Sequence, residues 1–122
     1  MSERLFTPDE ANAAIDDLRP RLERIKAART VVIEHGELVR ERVAGDGGGT
    51  EGSAFYEAIT TLRREVEHLA AEGVLLRDPE SGLVDFPAEV DGRAGFLCWR
   101  SDEQRVGFWH PPESGYRGRR PL

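Results

Sequence analysis

Asp91-Gly92 limits what this chain can fold into more than any other dipeptide. A type I′ hairpin turn needs positive φ at both central residues, and Asp-Gly tolerates that, so two strands must run back to back around it. Counting outward sets Val84 against Trp99, Asp85 against Cys98 and Phe86 against Leu97. A weaker turn signal, Asp102-Glu103 within Ser101 to Gln104, would set Trp99 against Val106, Cys98 against Gly107 and Leu97 against Phe108. Side chains alternate between the faces of a strand, so Val84, Phe86, Leu97, Trp99, Val106 and Phe108 gather on one side. Two separate turns then agree on one apolar face, which a slip of one residue would scramble.

The reverse face is expected to carry Asp85, Pro87, Phe96, Cys98 and Trp109. Two large aromatics around a carboxylate and a thiol are a poor match for a solvated surface, so a cover is expected over them.

Upstream the hydrophobic period changes from two to about 3.6. Phe6-Thr7-Pro8-Asp9-Glu10 is a helix start: Thr7 caps, Pro8 suits the first turn, and Glu10 completes a capping box. Ala11, Ile15, Leu18, Leu22 and Ile25 then recur at helical spacing, with Val32, Val39 and Val43 prolonging the stripe to about residue 43. Pro20 should kink this helix. Gly45 to Gly52 is expected to be an irregular connection; it lacks the Lys-Ser/Thr of a phosphate-binding loop. Ser53 is a plausible cap for a second helix with the seam Phe55, Ile59, Leu62, Val66 and Leu69, closed by Gly73 as a left-handed C-cap. Val74 to Arg77 reads as a short strand and Asp78 to Gly82 as a turn. The fold class is therefore α+β, one domain over residues 1–122: a long antiparallel helical hairpin at about 7–73, a small antiparallel β-meander at about 74–110, and an extended C-terminal tail at 111–122.

The totals narrow the function classes. A net charge of −6 argues against a general nucleic-acid binder, which meets phosphates with a basic field. No apolar run is long enough to span a membrane, and MSERLFTPDE has no basic-then-apolar leader. One cysteine excludes an internal disulfide and fits a reducing cytoplasm.

FTPDEAN at residues 6–12, GLVDFPA at 82–88, LCWR at 97–100, FWH at 108–110 and the GYRGRRPL ending together resemble a bacterial family of small proteins known only as a domain of unknown function. The resemblance runs over nearly the full length. The chain departs from it in the Gly-rich helix connection and in Ser101-Asp102-Glu103, where a tighter Gly-Glu turn is expected. It implies a recurring bacterial module and assigns no activity to any residue.

Four constellations carry candidate chemistry. Asp85, Cys98 and His110 offer the carboxylate, thiolate and imidazole that zinc or iron(II) prefers, with Asp85 placed beside Cys98 by the pairing. Strict alternation turns His110 to the opposite face, so a bulge or a chain turn at Pro111 is required to bring it in. Otherwise Cys98 is a small buried hydrophobe and Asp85 a partner for tail arginines. The same alternation disfavours a nucleophilic Cys98 with His110 as its base, and the reading leans away from catalysis. Glu65 and His68 form a Glu-x-x-His, the motif of di-iron bundles, but the seam puts His68 outside and Glu65 at its flank. Arg117, Arg119 and Arg120 would either clamp a small anion or dock the tail onto the protein's own carboxylates. Phe96 and Trp109 are candidates for a ligand platform or a subunit interface. The leading reading is a small cytoplasmic binding module without catalysis, working as a homodimer or with another protein partner; the alternatives are a metal-binding protein, enzymatic or not, and an anion site.

Overall fold

The computed structural model describes residues 4–43 and 52–122, with side-chain surroundings defined for all of these but 39–43. The expected irregular connection falls outside the described residues except for Gly52, which is already helical, and so do the side chains of Val39 and Val43. Helix α1 spans Pro8–Val43 and α2 spans Gly52–Glu72. A five-stranded sheet follows in simple meander order: β1 Leu75–Asp78, β2 Leu83–Val90, β3 Arg93–Arg100, β4 Phe108–His110 and β5 Arg120–Pro121.

The local signals explain the ends of the helices. Thr7 Oγ1 accepts from the Glu10 amide at 3.1 Å while Glu10 Oε1 accepts from the Thr7 amide at 2.9 Å, a reciprocal capping box. At the end of α2, Gly73 takes φ 82°, and the amides of Val74 and Gly73 donate back to Leu69 and Ala70. Helix α1 runs on through Pro20, and Ala11, Ile15, Leu18, Leu22 and Ile25 are all buried against the sheet residues Val84, Phe86, Leu97 and Trp99.

The seam of α2 differs from the expected one. Its buried residues are Ala58, Glu65 and Leu69, while Val66 is 45% exposed. The helix is turned because Glu65 is drawn inward: it accepts from Arg21 at 2.8 Å and Arg24 at 3.2 Å, both on α1. Buried carboxylates need such partners, and three arginines surround this one once Arg64 is counted.

The first β-hairpin forms as read. Asp91 and Gly92 take φ 52° and 77°, and all eight residues of β2 pair with β3 in the expected register, Asp85 facing Cys98. The second does not. Phe96 pairs with His110, Leu97 with Trp109 and Cys98 with Phe108, one residue away from the expected alignment. The tight bend lies at Arg100 to Glu103, closed by Glu103 N donating to Arg100 O at 2.8 Å. Beyond it α1 takes hold of the loop. Arg19 donates to the carbonyls of Ser101 and Glu103, and Asn12 Oδ1 accepts from Val106 N at 2.8 Å. Val106 is thus buried by a helix side chain rather than by strand pairing, and the chain resumes its ladder one residue later than a two-residue turn allows.

Candidate metal centre

That one-residue shift decides what the outer face of the sheet contains. Phe108 moves from the core side to the Cys98 side, and His110 moves with it, brought in by the one-residue register shift after the 101–107 loop rather than by a turn at Pro111. Trp109 goes the other way: it does not share a face with Phe96, as expected, but packs partly buried against the core. Gly95 permits this, since a Cβ there would lie 3.5 Å from the Trp109 ring and 3.2 Å from the His110 carbonyl.

The outer face then holds Asp85 on β2, Cys98 on β3 and His110 on β4, which are 2%, 1% and 2% exposed. Asp85 and Cys98 face each other across neighbouring strands. His110 is paired with Phe96, two places along, and its ring lies against the Phe96 ring at 5.5 Å and reaches back across β3 to Asp85. One ligand atom from each residue falls within 4.8 Å of the other two.

Hydrogen bonding orients each group. His110 Nδ1 lies 2.9 Å from the Pro111 carbonyl, which can only accept, so Nδ1 carries the hydrogen and Nε2 is turned inward. Nε2 lies 3.0 Å from Asp85 Oδ2, and the same oxygen accepts from Arg77 Nε at 2.8 Å. Asp85 Oδ1 is buried with no hydrogen-bond partner among the described residues. Burial pushes the Cys98 thiol up to about 12, and the neighbouring Asp85 charge adds to the effect. A thiol held neutral in this way is a weaker nucleophile than a thiolate.

The donor set suits a divalent transition metal. Tetrahedral zinc has ligand bonds of about 2.0–2.3 Å, which set ligand atoms about 3.5 Å apart, so the triad would close by little more than 1 Å. Thiolate and carboxylate neutralise a dication, which favours a buried site, and sulfur selects zinc or ferrous iron over magnesium or calcium. The imidazole anchored through Nδ1 to a carbonyl is the arrangement that orients a ligating Nε2.

The other candidates fall elsewhere. Arg119 donates to both oxygens of Glu103, at 2.7 and 2.9 Å, and lies over the Phe108 and Tyr116 rings. Arg120 lies over Trp109, whose backbone it pairs with, and Arg117 is exposed. The tail is therefore docked on Glu103, not on Asp85, whose arginine partner is Arg77 of β1. His68 Nε2 stands 3.7 Å from Asp17 Oδ2, the oxygen that accepts from Arg21, while Glu65 is taken up by arginines, so the Glu-x-x-His motif is engaged in ion pairs. Sequence reasoning missed Arg77 and the tie from Asn12 to Val106, because both depend on contacts between elements rather than on spacing.

Residues 4–122 match the family model of an uncharacterised conserved protein, DUF2203. No curated protein and no solved structure matches the chain. No helix among the described residues is long and apolar enough to cross a membrane.

Proposed function

The chain belongs to the DUF2203 family, and we propose that it is a binding module built around one divalent transition-metal site, zinc or ferrous iron, held by Asp85, Cys98 and His110. The observation that carries this reading is the convergence, within 4.8 Å of one another, of one ligand atom each from a buried carboxylate, thiol and imidazole; Asp85 Oδ1 is also buried without a hydrogen-bond partner among the described residues. A buried polar atom left without a partner costs about 1–3 kcal/mol, and a metal ion at this point removes that cost. Asp85 and Cys98 would supply the two negative charges and His110 the neutral nitrogen, while Pro111 and Arg77 fix the ligands from behind. Three protein ligands leave one position for water or another small donor.

The test is elemental analysis of untagged protein purified without chelators. One equivalent of zinc or iron per chain is expected, and Cys98→Ser and His110→Ala should each abolish it. Absence of stoichiometric metal, both as purified and after anaerobic reconstitution with zinc or iron(II), overturns the reading.

The second reading is assembly as a homodimer through the helices. The buried core cluster stops at Ile25 on α1, although that helix continues to Val43; Ile33 and Leu38 are exposed on the part beyond, and Tyr56 is exposed near the start of α2. Anion binding by the tail finds less support, since Arg119 is already held by Glu103.

A further inference from the structure

Resting on the metal reading, we infer that Arg77 is the positioning residue of the site: it retains Asp85 Oδ2 so that Oδ1 alone is presented to the metal. Arg77 sits where the pairing of β1 with β2 slips, between Leu76 and Asp78. Leu75 faces Asp85 directly, and Arg77, two residues on and so on the same face, reaches diagonally to that carboxylate. Its guanidinium lies over the Phe96 ring, 5.1 Å from the centroid, and Phe96 in turn packs on the His110 ring. One side chain, itself 45% exposed, therefore holds Asp85 directly and braces His110 through Phe96.

The division of labour between the two carboxylate oxygens is the core of the argument. Without metal, Oδ2 accepts from Arg77 Nε and has the lone-pair nitrogen His110 Nε2 3.0 Å away, while Oδ1 has no hydrogen-bond partner among the described residues. With a metal held by Oδ1 and Nε2, Arg77 Nε would remain the donor to Oδ2. Without that N–H, Oδ2 would be a buried, unsatisfied oxygen, and the carboxylate would rotate or chelate through both atoms. Partners behind a ligating carboxylate commonly govern affinity in this way, by about 10–100-fold. The contrary role, a cation that competes with the metal for Asp85, predicts the opposite sign on removal.

Cobalt(II) titration of the full chain separates the cases. In wild type, cobalt binding should give a sulfur-to-metal charge-transfer band and tetrahedral ligand-field bands. Arg77→Gln should bind about 10–100-fold more weakly, keep the sulfur band and shift the ligand-field bands as Asp85 changes its mode. Arg77→Lys keeps the charge but loses the planar Nε–H aimed at Oδ2, and should remain several-fold weaker than wild type. It also serves if the glutamine variant does not fold. Equal or tighter binding in a folded variant overturns the inference, as does weaker binding with unchanged ligand-field bands. Failure of wild type to bind cobalt at all sinks the metal reading and this inference with it, whereas normal wild-type binding with an indifferent Arg77 sinks only the inference.

Discussion

Cys98 shows how one residue can be legible in identity and illegible in state. Its place opposite Asp85 follows from counting out of the Asp91-Gly92 turn, but its protonation depends on closure of the outer face by His110, Phe108 and Arg119. Burial first, and then the adjacent Asp85 charge, hold the thiol at about 12 against 9.0 for a free one. Iodoacetamide should leave Cys98 unmodified in the folded, metal-free chain at neutral pH and alkylate it promptly in denaturant; fast labelling of the folded chain would contradict this burial. The linkage runs in one direction. A thiol whose folded value is raised contributes stability that is fully present below pH 9.0 and lost as the pH climbs toward about 12. Glu65 is the converse case. Burial works against its charge, the Arg21 and Arg24 guanidiniums outweigh that, and the carboxyl is lowered, so its stabilising effect persists at neutral pH and disappears in acid. The apolar seam put Glu65 only at its flank, and the arginines of α1 that draw it inside lie far away in sequence.

At the scale of elements, the two hairpins mark the limit of local reasoning. The first is set by a turn whose chemistry lies wholly in two adjacent residues, and its register was readable to the last pair. The second is set by Asn12 and Arg19 reaching from α1 to residues far along the chain, which no count of turn residues reveals. The tail belongs to the same class of long-range contact. Strand β5 adds to β4, Leu122 N donates to the Gly107 carbonyl at 2.9 Å, and Arg119 grips Glu103 in a pair whose side chains are only 11% and 19% exposed. Truncation after Pro112 keeps the Pro111 carbonyl that anchors His110 but removes all of these. It should lower Tm by roughly 5–10 °C, the change expected for about 2 kcal/mol in a domain of this size. An unchanged Tm by calorimetry would mean that the docked tail contributes nothing to stability.

At the scale of the molecule, the sheet serves only part of the helical hairpin. Its core cluster takes α1 as far as Ile25, and the helix extends to Val43, about 27 Å further at 1.5 Å per residue. Along that arm the helices bury Ala28 and Ala58 between them, small side chains that bring the backbones close but remove little apolar surface from water. Ile33 at 45% and Tyr56 at 69% exposure are left outside. Two helices make a single layer, and a domain needs a second layer to cover an apolar stripe; a second copy of the same arm would provide it as a four-helix arrangement. Light scattering coupled to size exclusion should therefore find a dimer at micromolar concentration, and Ile33→Glu should convert it to monomer while leaving the metal content untouched, because the sheet lies at the other end of the molecule's core. A wild-type monomer under these conditions would remove the helical interface. Loss of metal in a folded Ile33→Glu monomer would instead show that assembly and the Asp85 site depend on one another.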